Sequence, residues 1–128
     1  MGSTCTITFF YYEDIHAVAP FYTSVMGFEL VLDQEFAQVF RAAPSSFLGI
    51  VDGRRGHLRH RNENAVLFTI VDEDVEGWHD RMSKADVSRL TEIRRGDFCD
   101  HFFFEDPAGY ALEVQRFRDP EVAALFRR

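Results

Sequence analysis

From Thr6 to Tyr12 the chain is β-branched and aromatic throughout (Thr-Ile-Thr-Phe-Phe-Tyr-Tyr), a composition that predicts a strand. The spacing then changes. Ile15, Val18, Tyr22 and Val25 recur at helical intervals behind Asp14, an N-cap residue type, and predict a helix over Ile15–Met26 that Gly27 ends. Pro20 falls inside that helix and predicts a kink or a slack first turn, because proline supplies no backbone N–H. Phe28–Leu32, Phe36–Arg41 and Phe47–Val51 read as three more strands, with Ala43-Pro44-Ser45-Ser46 as the turn before the last.

A polar, basic stretch, Asp52–Asn64, then separates this half from one that repeats the pattern. Ala65–Val71 predicts a strand, Asp74 caps a helix to about Lys84 that carries Val75, Trp78 and Met82, and Val87–Ile93 predicts another strand. Asp100–Gln115 reads as a hairpin. Its turn, Asp106-Pro107-Ala108-Gly109, combines a fixed φ, a carboxylate able to bond its own backbone, and a residue free to adopt positive φ. Glu13-Asp14-Ile15 matches Glu73-Asp74-Val75 at an offset of 60, and Pro44 and Phe47 match Pro107 and Tyr110 at 63. Two βαβββ modules follow, at about 5–51 and 65–117, with linker 52–64 between them. A C-terminal helix over about 119–127, capped at Asp119 with Pro120 at its first position, closes an α+β chain.

Composition narrows the function classes. A chain of 128 residues suggests one domain with room for a real core, and 46% hydrophobic and 27% charged residues suit a soluble globule. Aromatics at 15%, with 14 Phe, exceed the ordinary and point to a Phe-rich core or to rings lining a cavity. A net charge of −7 argues against nucleic acid or an anionic membrane as the partner. Cys5 and Cys99 lack metal-type spacing and read as small buried strand residues of a reducing compartment. With no long apolar run and no signal-peptide pattern, the expected location is cytoplasmic. Arg54, Arg55, Arg59, Arg61, His57 and His60 make the linker a candidate anion attractor or pocket cover, though a solvated connector is the simpler reading.

One residue stands out chemically. Glu113 lies between Leu112 and Val114, and an unpaired buried carboxylate is expensive. It is therefore a solvent-face residue, a salt-bridge partner or part of a site. Cys99 and His101, two apart, share a strand face but form only a weak pair, and simple alternation sets His101 opposite Glu113. His16 and His79 fall on helices and read as surface residues. No Gly-x-Ser-x-Gly elbow and no phosphate-cradling glycine loop is present.

Asp14-Ile15 leading to Pro20-Phe21-Tyr22-Thr23-Ser24-Val25-Met26-Gly27-Phe28, together with Phe104-Glu105-Asp106-Pro107-Ala108-Gly109-Tyr110-Ala111-Leu112-Glu113, resembles the vicinal-oxygen-chelate superfamily. Its members include glyoxalase I, extradiol dioxygenases, and fosfomycin- and bleomycin-resistance proteins. The resemblance implies two modules whose curved mixed sheets enclose a small-molecule cavity, in a homodimer. It also implies, in metal-dependent members, one ligand on each module's first strand and one on each last strand. Glu113 matches one of these positions, while counting along the repeat puts Ile7, Ile50 and Leu67 at the others. One carboxylate and three hydrocarbons do not hold a divalent metal. The expected protein is thus a metal-free, bleomycin-resistance-type binder of a cationic, aromatic small molecule. Glu113 would be its anchor, in a pocket walled by Phe9, Tyr11, Ile50, Leu67, Phe102 and Phe104 and with Tyr11 as hydrogen-bond partner. The alternative is a glyoxalase- or dioxygenase-like enzyme using Glu113 as ligand of one divalent metal or as general base.

Overall fold

A computed structural model describes residues 2–127, and the chain divides into two units, 1–64 and 65–128. In the first, β1 (Thr6–Tyr12) leads into α1 (Ile15–Pro20), whose first turn is capped by the Asp14 carboxylate accepting from the His16 N–H. Pro20 cannot donate to the ladder, and the chain responds with a π-helical turn over Phe21–Val25, closed by Met26 N–H to Phe21 O at 2.9 Å. The expected kink is this widened turn. Gly27, at φ 74°, then reverses the chain into β2 (Glu29–Asp33), followed by β3 (Ala37–Ala43) and β4 (Ser46–Asp52). The strand order is β1-β4-β3-β2, with β1 parallel to β4 and the other pairs antiparallel.

The second unit repeats this plan as β5 (Leu67–Val71), α2 (Val75–Lys84), β6 (Arg94–Arg95), β7 (Cys99–Glu105) and β8 (Ala111–Phe117), in the order β5-β8-β7-β6. The strand expected over Val87–Ile93 is mostly lost. Arg89 takes a positive φ of 53°, so only Ser88 bridges to Glu105, and Thr91 joins β7 through its own N–H and hydroxyl at Phe103. Asp119 caps α3 (Pro120–Ala124) by accepting from the Glu121 N–H.

Each sheet packs one face on its own helix. In the first unit that face carries Phe10, Tyr12, Leu48, Ile50 and Phe40, against Ile15, Val18 and Tyr22, with the rings of Tyr22, Phe28 and Phe40 about each other. In the second it carries Leu112, Val114, Phe102 and Phe104 against Val75 and Met82; the His79 ring meets Phe102 edge-on at 4.9 Å. Much of the phenylalanine excess therefore fills cores. His79 is half-buried, its Nε2 2.9 Å from Thr91 O, rather than a free surface residue. Cys5 is exposed ahead of β1 and Cys99 only half-buried, which corrects the expectation of two buried strand cysteines.

The linker folds back on the first unit. Its His60 Nδ1 lies 2.8 Å from Tyr11 O, Arg54 forks onto the Asp52 carboxylate, Arg55 covers the Phe36 ring, and Gly56 sits against Tyr11 and Val51. These contacts order what composition alone suggested was a solvated connector.

Candidate functional site

The opposite face of the second sheet holds the chemistry. Along β8, Ala111, Glu113 and Gln115 share that face, and parallel pairing sets Leu67, Thr69 and Val71 of β5 beside them in turn. Across the hairpin Glu105 pairs with Ala111, Phe103 with Glu113 and His101 with Gln115. The loop between paired ends thus has five residues, Asp106 to Tyr110, because the buried Asp106 carboxylate accepts from both the Ala108 and the Tyr110 N–H, at 3.0 and 2.9 Å. The four-residue turn expected from Asp-Pro-Ala-Gly is one residue too short, and a slip of one exchanges the faces of a strand.

That slip corrects several site assignments. Phe102 and Phe104 are 0% and 1% exposed in the core, so they do not wall a pocket around Glu113; Phe103 lies beside it instead. His101 and Cys99, expected opposite Glu113, are on its face. Ile50 is likewise fully buried against the first unit's helix and is no pocket wall. Of the remaining expected residues, Leu67 flanks Glu113's face and is 47% exposed, while Phe9 and Tyr11 lie on the corresponding face of the first unit's sheet.

Glu113 itself is 9% exposed, and its Oε1 accepts a hydrogen bond from the Thr69 hydroxyl at 2.8 Å. The Cys99 thiol is 3.6 Å from His101 Nδ1, and one donor atom from each of Cys99, His101 and Glu113 lies within 4.8 Å of the others. The His101 ring rests over Gly96. Burial, with the Glu113 and Asp100 carboxylates nearby, pushes the Cys99 thiol up, which argues against an unassisted thiolate nucleophile. Beside Phe103, a depression of about 450 Å³ opens between the sheet at Glu105 and Ala111 and the Arg89-Leu90-Thr91 segment.

On the helix side of the same strands, Asp100 accepts from Arg95 and Arg116 at 3.1 and 2.9 Å, and Glu76 from the same two guanidiniums. Arg116 holds both carboxyls below their usual range, Glu76 at about 2. This network joins α2 to the sheet and leaves the Glu113 face untouched.

The metal ligands of metal-dependent vicinal-oxygen-chelate proteins come from first and last strands of each module. In strand register Thr69 pairs with Glu113, and at the same distance before its helix cap Phe9 pairs with Gly49, so Gly49 stands in the place of Glu113. Of the positions expected from counting, Ile7 and Leu67 lie two residues before Phe9 and Thr69 on the same faces, while Ile50 turns into the core and gives its place to Gly49. The Phe9 ring covers Gly49 so closely that a Cβ there would collide with it. Glu113 brings one carboxylate, while the Ile7, Leu67 and Gly49 side chains offer no ligand atom, so these residues do not fit that metal.

Sequence reasoning missed Thr69 and the shared face of Cys99, His101 and Glu113. The signal was present in Asp106, whose capacity to bond Tyr110 lengthens the loop by one.

The model of the Glyoxalase/Bleomycin resistance protein/Dioxygenase superfamily matches residues 6–114. Among curated proteins none matches the sequence. Solved structures similar to this chain include lactoylglutathione lyase from Agrobacterium tumefaciens (23% identity, 90% of this chain and 94% of that one, TM-score 0.73). TioX from Micromonospora sp. ML1 is 13% identical over 90% of this chain and 99% of its own, with a TM-score of 0.75. The fosfomycin resistance protein FosX from Listeria monocytogenes is 18% identical over 96% and 99%, with a TM-score of 0.69. At these identities the likeness is one of fold.

Proposed function

We infer a function from one premise: this chain belongs to the Glyoxalase/Bleomycin resistance protein/Dioxygenase superfamily. It is a small-molecule-binding protein, and its polar anchor is Glu113 on the exposed face of the second unit's sheet. The observation that carries this reading is the Thr69–Glu113 hydrogen bond at 2.8 Å on a carboxylate that is 9% exposed. Thr69 engages one carboxylate oxygen and orients the group, and the carboxylate keeps acceptor capacity for a donor or cation from the ligand. Phe103 and Leu67 supply apolar and ring surface alongside it, and the depression beyond Phe103 accommodates the body of a small molecule. A cationic, aromatic ligand suits that combination, as it suits a chain of net charge −7. No step runs through a metal at the superfamily's own ligand positions, whose residues do not fit one.

Native mass spectrometry of the protein purified from its own host identifies the bound molecule. Calorimetric titration then compares wild type with Glu113→Gln. Loss of one charge-assisted hydrogen bond weakens binding by about 10–100-fold. Unchanged affinity for every amine-bearing aromatic compound that the wild type binds would refute the anchor.

A further inference from the structure

We propose that Cys99, His101 and Glu113 are the protein ligands of a divalent transition metal of the zinc type, held on the exposed face of the second sheet. The inference rests on the reading of that face as the binding face and adds a centre that the superfamily's first- and last-strand ligand pattern does not contain. Two of the three donors come from β7, a strand outside that pattern.

The geometry is close to what such an ion requires. Metal–ligand lengths of about 2.0–2.3 Å place tetrahedral ligand atoms about 3.5 Å from one another. Cys99 Sγ and His101 Nδ1 are already 3.6 Å apart, and all three donor atoms lie within 4.8 Å. Rotation about the last torsion of a glutamate side chain, which is soft, closes the remaining gap. The donor set selects the metal class: a thiolate, an imidazole and a carboxylate suit zinc, cobalt or nickel, whereas magnesium and calcium take oxygen ligands.

The surroundings act as outer-sphere support. The Thr69 hydroxyl bonds the Glu113 carboxylate at 2.8 Å, and Gly96 lies against the His101 ring. Binding displaces the thiol proton to solvent and forms the metal–sulfur bond. Three protein ligands leave a fourth position on the solvent side, for water or a heteroatom of the small molecule. The first unit offers nothing comparable. Strand pairing sets Ala37 against Val51 just as His101 pairs with Gln115, and Gly49 stands in the place of Glu113.

Titration of the reduced protein with Co²⁺ alone tests the site, because a cobalt–thiolate bond gives a sulfur-to-metal charge-transfer absorption. The expected result is one cobalt per chain with that band. Cys99→Ser abolishes the band and Cys5→Ser keeps it. His101→Ala and Glu113→Gln weaken binding at least about tenfold, as loss of even an outer-sphere partner typically does, and Thr69→Val weakens it less than either. Circular dichroism of each variant separates lost binding from lost fold, and Cys99→Ser is near-isosteric. No band in the wild type at excess cobalt overturns the proposal, as does a band that survives Cys99→Ser and vanishes in Cys5→Ser. Since no organic ligand is present, failure here leaves the Glu113 anchor standing. Conversely, unchanged ligand affinity in Glu113→Gln leaves the metal site standing.

Discussion

The two units share a plan and differ in what they do with the sheet face that their helices leave uncovered. In the first, the pair at the centre of β1 and β4 is Phe9 and Gly49, the ring lying on the glycine, with Val39 on the neighbouring strand. In the second, the equivalent pair is Thr69 and Glu113, with Phe103 beside it and His101 and Cys99 farther along the same strand. At these central positions one face is hydrocarbon, with Tyr11 and the Arg41–Glu29 pair farther along it, and the other carries a hydroxyl, a carboxylate, an imidazole and a thiol. The repeated plan thus places polar side chains at these positions in one unit and apolar ones in the other. Packing on the helix side is alike in both, so the two faces of one sheet answer to separate demands.

Adjacent phenylalanines on β7 give the largest contrast. Phe102→Ala empties a fully buried position and costs about 3–5 kcal/mol, whereas Phe103→Ala, on the Glu113 face, costs about 1 kcal/mol. Urea midpoints at constant m report both. Equal losses would break the assignment of faces on which the whole comparison rests. Next in size is a transplant. Gly49→Glu gives the first unit the second unit's carboxylate, but its Cβ collides with the Phe9 ring and the chain loses about 2 kcal/mol. Adding Phe9→Thr clears the space and restores a hydroxyl–carboxylate pair, so the double variant recovers most of the loss. If Phe9→Thr brings no recovery in thermal melting, the two units are not equivalent at these positions.

Most of the plan was legible in periodicity. The offset that linked Asp14 to Asp74 connects two helix caps, because a cap is a local device whose residues work where they stand. The offset of 63 from Pro44 to Pro107 misses the last-strand register by one, since Ala43 pairs with Ser46 across a short turn and Glu105 with Ala111 across a longer one. β1 begins and ends as expected, at Thr6 and Tyr12. What periodicity could not supply was register. Whether Phe102 or Phe103 faces Glu113 depends on a single side chain, Asp106, extending a four-residue turn to five. The strand expected over Val87–Ile93 failed for a related reason: β-branched residues favour extension, but Arg89 turns the backbone between its two contacts with β7. Thr69 was invisible as a site residue because a threonine in a strand is ordinary until its pairing partner is known.

The units also differ in how they respond to acid. In the second, Arg116 beside Asp100 and Glu76 depresses both carboxyls, so their contribution is complete above the usual carboxylate values. It is lost as pH falls through the lower folded values, about 2 for Glu76 against an ordinary 4.5. Stability is therefore expected to decline from about pH 4.5 towards 2. Asp100→Asn costs about 1–2 kcal/mol at neutral pH and flattens that decline. In the first unit the comparable shift is Asp52, lowered to about 2 by Arg54 two residues away. That pair ties one turn to itself and not helix to sheet, so Asp52→Asn changes the acid limb less. Melting temperatures from pH 7 down to 2 for the two variants rank them, and the reverse ranking would contradict the cross-element role given to Asp100.

The smallest effect concerns the pair that distinguishes the units. Thr69→Val keeps the shape of the side chain and removes the donor to Glu113, leaving a carboxylate that is 9% exposed with one bond fewer, at a cost of about 1 kcal/mol. Glu113→Gln keeps an acceptor for the same hydroxyl and costs less. The informative quantity is their coupling. Side chains 2.8 Å apart in one hydrogen bond are expected to be non-additive by about 0.5–1.5 kcal/mol, whereas Phe9→Val combined with Glu113→Gln, which touches the pair standing in the first unit's place, is additive within about 0.3–0.5 kcal/mol. Coupling near zero between Thr69 and Glu113 would mean that the hydroxyl does not orient the carboxylate. The second unit's face would then be polar without being organised, and its difference from the first would be one of composition alone.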